Sequence, residues 1–128
     1  MKLDLLEERY SVALLDPGDL IPEWIQGPGI RSTTYSESEL SIVCPQNRVP
    51  DGIQHEPGWC ALRIQGPLAF DQVGILNRLL EPLANAQVPV FVLSTFLTDY
   101  LFIQDKYLPS ATHVLQEAGH SIQAMKNT

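Results

Sequence analysis

Between Cys60 and Phe102 the spacing of apolar residues changes its period twice, and few folds accept that order. Cys60, Leu62 and Ile64 alternate with Ala61, Arg63 and Gln65, the pattern of a half-buried strand. Gly66-Pro67 ends it. Beyond Asp71 the spacing becomes helical through Val73, Leu76, Leu79, Leu80 and Leu83. Val88 to Thr95 is then continuously apolar, the signature of a central strand, and Tyr100 to Ile103 pairs with it as a hairpin. Asp71 fits the N-cap or first turn of the helix, where the helix dipole favours a carboxylate. Pro82 removes a helical hydrogen bond, so a kink or a break and restart is expected there.

Downstream, Pro109 opens a second helix with Leu108, Ala111, Leu115 and Ala118 on one side, and Gly119 suits a left-handed C-terminus. His120 to Met125 reads as a last short strand. The second half is therefore β-α-β-β-α-β, which implies a ferredoxin-like antiparallel sheet with both helices on one face, an α+β fold.

The first half is less regular. Met1 to Glu8 reads as a polar, frayed lead-in. Tyr10 to Leu15 is a strand with Val12 and Leu14 inward, and Asp16-Pro17-Gly18-Asp19 is a turn. A short helix over Leu20 to Ile25 stops at Gly27-Pro28-Gly29. Arg31 to Tyr35 and Glu39 to Cys44 are strands joined by Ser36-Glu37-Ser38, with Leu40 and Ile42 inward. Pro45 to Gly58 carries three prolines and two glycines and reads as a boundary without regular structure. Residues 9–57 and 58–126 are the two expected domains.

Thr34 to Val43 recurs, one residue shorter, as Thr95 to Ile103: Thr-aromatic, a polar turn with an acid, then an apolar strand. The first half thus reads as a truncated copy of the second, although two unrelated hairpins could share this pattern.

Composition narrows the function classes. A formal charge of −7, with scattered Lys and Arg, argues against nucleic acid and anionic membranes. No apolar run reaches the length of a bilayer span, and the N-terminus is acidic where a secretion signal is basic. Cys44 and Cys60 lack metal spacing and are expected reduced and buried in a cytoplasmic protein. His55, His113 and His120 share no ligand spacing, so neither metal nor cofactor is expected. Trp24 and Trp59 are assigned to packing. No titratable pair is placed for catalysis, so a non-enzymatic role is expected.

The segments Gly66-Pro67-Leu68-Ala69-Phe70, Gly74-Ile75-Leu76, Leu80-Glu81-Pro82-Leu83 and Ser94 to Leu101 together resemble the tandem ACT-domain family. Its members include small bacterial and fungal ACT-pair proteins and the cytosolic arginine sensor of the TOR pathway. Glu39 to Pro45 fits the family's first module. The resemblance implies two ferredoxin-like ACT modules, the first truncated here, and an amino acid bound between modules for allosteric regulation. It places Gly66, Pro67, Leu68, Phe70, Gly74, Ile75 and Leu76 on the binding turn and first helical turn, and Thr95, Phe96 and Asp99 on the ligand-facing hairpin. A homodimer, through sheet edges or an ACT interface, would supply a second pair.

The residues also admit plainer readings. Gly66-Pro67 can simply turn the chain, and Gly74, inside the helix, can serve helix-on-sheet packing. Thr95 and Phe96 can be hairpin packing, and Asp99 can bond its own turn. The functional alternative is a ligand-free module for dimerisation or protein interaction.

Overall fold

In the computed structural model, residues 1–66, 68 and 73–125 are described. They form two compact units: Met1–Glu7 together with the chain from Cys60 onwards, and Glu8–Trp59. Seven strands, β1 (Lys2–Leu15), β2 (Ser32–Tyr35), β3 (Leu40–Pro45), β4 (Gln54–Ile64), β5 (Phe91–Ser94), β6 (Asp99–Gln104) and β7 (Ser121–Met125), accompany two helices, α1 (Ile75–Asn85) and α2 (Leu108–Glu117). The fold is α+β. The long strands β1 and β4 contribute residues to both units.

The first unit realises the order β4-α1-β5-β6-α2-β7. Its strands lie in the sequence β7-β1-β4-β6-β5. Leu62 and Ile64 of β4 and Leu101 and Ile103 of β6 share a face by strand alternation. Leu79 and Leu83 of α1 and Ala111 and Leu115 of α2 pack against that face, all essentially inaccessible. Both helices therefore cover one side of the sheet. The hairpin β5–β6 is antiparallel, with Ser94 opposite Asp99.

The N-terminus corrects the sequence reading. Met1 to Glu8 is no lead-in but the start of β1, inserted between β7 and β4 and parallel to β7. Leu3 is fully buried in the helix-covered core. On the other face Asp4 is buried, and Arg63 Nη2 donates to its Oδ2 at 3.0 Å. Gln65 and Gln123 donate to Oδ1 at 2.9 and 3.2 Å. The one buried charge of the segment, Asp4, is thus paired with Arg63 and hydrogen-bonded from Gln65 and Gln123, which is the condition for burying a carboxylate, whereas Lys2 and Glu7 stay exposed.

Val88 to Thr95 is not a central strand. Only Phe91–Ser94 is extended, and β5 ends the sheet order. The Val88 N–H bonds Leu83 O and closes α1 instead, with Gln87 left-handed at φ 58. Pro89 offers no ladder donor, which suits an edge. Val73, expected on the buried helical stripe, precedes α1 and is 91% exposed.

α1 runs through Pro82 without interruption. Pro82 cannot donate to the Arg78 carbonyl four residues back, and His120 Nε2 donates to that oxygen at 3.2 Å. The His120 Nδ1 lies 2.8 Å from the Met1 amino nitrogen. α2 carries Pro109 in its first turn and is followed by Gly119 at φ 96, as the sequence indicates.

In the second unit, β2, β3, β1 and β4 are neighbours in that order. The turn at Asp16–Asp19 closes through Asp19 N–H to Asp16 O at 3.0 Å. The expected helix over Leu20 to Ile25 shrinks to a 3-10 turn at Glu23–Ile25. The inward face of β1 is reversed: Ala13 is buried with Ile25, Leu40, Ile42 and Cys44, whereas Leu14 is 45% exposed. The Pro/Gly-rich segment is not structureless, since it holds a 3-10 turn at Gln46–Arg48 and the start of β4. Both cysteines are buried and outside any disulfide, and Cys60 Sγ donates to Asp105 Oδ1 at 3.1 Å.

The Asp4 cluster makes stability depend on pH. Burial pushes the carboxyl up, but the hydrogen bonds from Gln65, Arg63 and Gln123 and the Arg63 charge outweigh it and hold the group below its usual range. Its contribution is present above the unfolded carboxylate value of about 3.9 and is lost as pH falls through the lower folded value. Urea midpoints measured at decreasing pH should therefore fall steeply below about pH 4. Asp4→Asn should be less stable at neutral pH and lose less on acidification; equal pH profiles for the two proteins would contradict this.

Candidate functional site

The first unit carries a cleft where the start of α1 meets the β5–β6 turn. It has a volume of about 480 Å³ and is lined by Leu68, Gly74, Ile75, Leu76, Asn77, Ser94, Thr95, Phe96, Thr98 and Asp99. Seven of the ten sequence-nominated residues line it: Leu68, Gly74, Ile75, Leu76, Thr95, Phe96 and Asp99. Pro67 and Phe70 lie outside the described residues, as does Asp71. Gly66 lines a neighbouring cavity rather than this one. Asn77, Ser94 and Thr98 were not nominated. Ser94 and Asn77 follow from register and helical phase, since Ser94 pairs with Asp99 and Asn77 lies one turn above Gly74.

Gly74 is the N-cap of α1, not an interior residue. Its φ is 77, a left-handed conformation open to glycine at little cost. A Cβ there would meet no atom of the described residues within 4 Å, so among them conformation, not close approach, explains the glycine. Glycine also brings no side-chain oxygen, and among the described residues no side chain caps this helix. The first intrahelical bond comes from Arg78 N–H to Gly74 O at 3.2 Å. The amides of Ile75, Leu76 and Asn77 therefore lack helical acceptors at the cleft wall, where the positive end of the helix dipole lies.

The opposite wall is a closed turn. Thr95 N–H donates to Thr98 O at 2.8 Å, and the Thr95 hydroxyl donates to the same oxygen at 3.1 Å. That hydroxyl also accepts from Thr98 N–H at 3.3 Å, so Thr95 spends its polar group on the turn. Thr98 Oγ1 donates to Ile64 O at 2.6 Å. Phe96, 77% exposed, forms an apolar rim.

Asp99 is the charged side chain of the cleft. It is half-buried, and among the described residues its carboxylate makes neither an ion pair nor a hydrogen bond to its own turn. No group of three or more His, Cys, Asp or Glu among the described residues is arranged to hold a metal ion.

Gly66 acts through contact between turns. Leu68 N–H donates to Leu97 O at 2.8 Å, so the two bends lie side by side. A Cβ on Gly66 would sit 2.9 Å from that carbonyl and 3.4 Å from Thr98 Cβ. The Leu68 amide is thus already engaged, and the amides left for a ligand are those of α1. Gly66→Ala should force the bends apart and cost about 1–3 kcal/mol, measured by urea unfolding. A variant as stable as the parent would show that the contact is loose.

Comparison with known proteins follows the same division of the chain. The family model described as "ACT domain" matches residues 54–117, and a second model, of an N-terminal domain, matches residues 8–52. The chain is 37% identical over 103 residues to the Bos taurus protein named "Cytosolic arginine sensor for mTORC1 subunit 1". That alignment covers 70% of this chain and 31% of the relative, so the chain spans about a third of the relative's length. A crystal structure of an Agrobacterium tumefaciens protein superposes with a TM-score of 0.91 at 38% identity, covering 97% of this chain and 92% of that one. The regulatory subunit of aspartate kinase from Thermus thermophilus shares the fold, with a TM-score of 0.64 at 10% identity over 91% of this chain and 96% of that one. No helix among the described residues is long and apolar enough to cross a membrane. With the matched model spanning half of its residues, the chain belongs to the ACT-domain family.

Proposed function

We propose that the protein is a non-catalytic regulatory module that binds a free amino acid in the cleft between the start of α1 and the β5–β6 turn. The observation that carries this is the opposition of charge in one small space. One wall offers the amides of Ile75, Leu76 and Asn77 at the positive end of a helix, and the other the carboxylate of Asp99, without a partner among the described residues. A zwitterion satisfies both at once. Its carboxylate accepts from the helix amides, and its ammonium donates to Asp99. The size of the cleft suits such a ligand.

Family membership supports the reading, as does the arginine-sensing role carried in the name of the Bos taurus relative. The exposed Phe96 rim leaves room for a second ACT module to cover the ligand, from another copy of the chain. Ligand would then shift an assembly equilibrium by no more than its difference in affinity between the open and covered states. The edge position of β5 favours a second reading, a ligand-free interaction module that pairs this strand with a partner.

Thermal melting of the protein against each common amino acid decides between them. A true ligand at a hundredfold its dissociation constant adds about 2.7 kcal/mol. Asp99→Ala should abolish that shift while leaving the unliganded melting temperature nearly unchanged. If no amino acid raises the melting temperature at millimolar concentration while Val92→Lys on β5 abolishes self-association, the interaction reading takes its place.

A further inference from the structure

A second cavity, of about 310 Å³, lies across the Thr95–Thr98 turn from the first. Arg63, Gly66, Leu97 and Tyr100 contribute to its lining, and Thr95 and Thr98 are common to both cavities. Strand alternation puts Arg63 and Tyr100 on the sheet face turned away from Leu62 and Leu101, hence away from the helices.

The Arg63 guanidinium is only partly used. Its Nη2 donates to Asp4 Oδ2, whose carboxylate is also held by Gln65 and Gln123. Its remaining N–H groups, like the Tyr100 hydroxyl, have no partner among the described residues. The Arg63 side chain is 23% exposed, within reach of solutes but largely desolvated. A half-desolvated fork with spare donors favours a planar, bidentate acceptor. Asp4 already cancels most of the charge, so a monoanion matches the site better than a dianion. Leu97 and the Tyr100 ring supply apolar wall.

We propose that this cavity binds a small organic monocarboxylate, with its oxygens on the free Arg63 N–H groups and the Tyr100 hydroxyl and its apolar body against Leu97. The cavity shares Thr95 and Thr98 with the amino-acid cleft, but none of the groups that would hold the carboxylate lines that cleft, and the proposal does not depend on it.

The test is an NMR titration of the full chain with benzoate, with the neutral isostere benzamide as control. Benzoate should shift the Arg63 side-chain Nε–H and the backbone of 97–100 saturably, with a dissociation constant of about 1 mM or tighter. Benzamide should not. Arg63→Lys keeps a cation beside Asp4 but loses the fork, and should weaken binding about tenfold. Should that variant unfold, Leu97→Glu serves instead. Leu97 is exposed and outside the Asp4 cluster, and a carboxylate there should repel benzoate about tenfold. Asp99→Ala should leave benzoate affinity unchanged, which keeps this result distinct from that of the amino-acid cleft. No saturable shift, an equal response to benzamide, shifts confined to 74–77 and 99, or unchanged affinity in the folded variants would overturn the proposal.

Discussion

The hydrogen bond from Leu68 N–H to Leu97 O is the contact on which the cleft depends. It fixes the bend after β4 against the β5–β6 turn, and it forms because Gly66 has no side chain to hold the two backbones apart. Thr98 strengthens the same junction by donating to Ile64 O at the end of β4. Backbone-to-backbone closure leaves little slack, so the walls facing α1 are set by the sheet rather than by flexible side chains. Electrostatics then follow from an omission. A glycine N-cap brings no side-chain oxygen to the first amides of α1, and among the described residues neither a cap for those amides nor a partner for Asp99 is present.

The second unit, by contrast, is organised by its turns. Its residues 8–59 hold two single-turn 3-10 segments and no α-helix. The core around Ala13, Leu40 and Ile42 is correspondingly small. The antiparallel pairing of β2 with β3 and of β3 with β1 supplies its regular hydrogen bonding.

Much of the first unit was legible because its apolar spacing is unambiguous: Leu62 and Ile64, Leu79 and Leu83, Leu101 and Ile103 fall where period alone places them. Two kinds of residue were not. Asp4 is a buried charge, and its neighbours looked polar because pairing through Arg63, Gln65 and Gln123 is a tertiary fact with no local sign. Val88 and Val73 are apolar but serve a helix end and an exposed approach, so counting apolar residues extended β5 and α1 too far. In the cleft, the resemblance brought together residues far apart in sequence. It could not foresee that the Thr95 hydroxyl and the Leu68 amide are consumed internally, because that depends on a turn closing upon itself. The reversed face of β1 has another origin: Leu14 is far more apolar than Ala13 and pointed to the wrong side, while the small Ala13 is the residue that packs with Ile25, Leu40, Ile42 and Cys44.

Pro82 and His120 illustrate a different kind of dependence. The proline deprives the Arg78 carbonyl of its usual donor, and an imidazole nearly forty residues later takes the vacated oxygen. Neither position is fully intelligible alone. Across related sequences, substitution at one should tend to accompany substitution at the other, leaving a correlated pair where a survey of single columns would see only a tolerated proline and an unremarkable histidine.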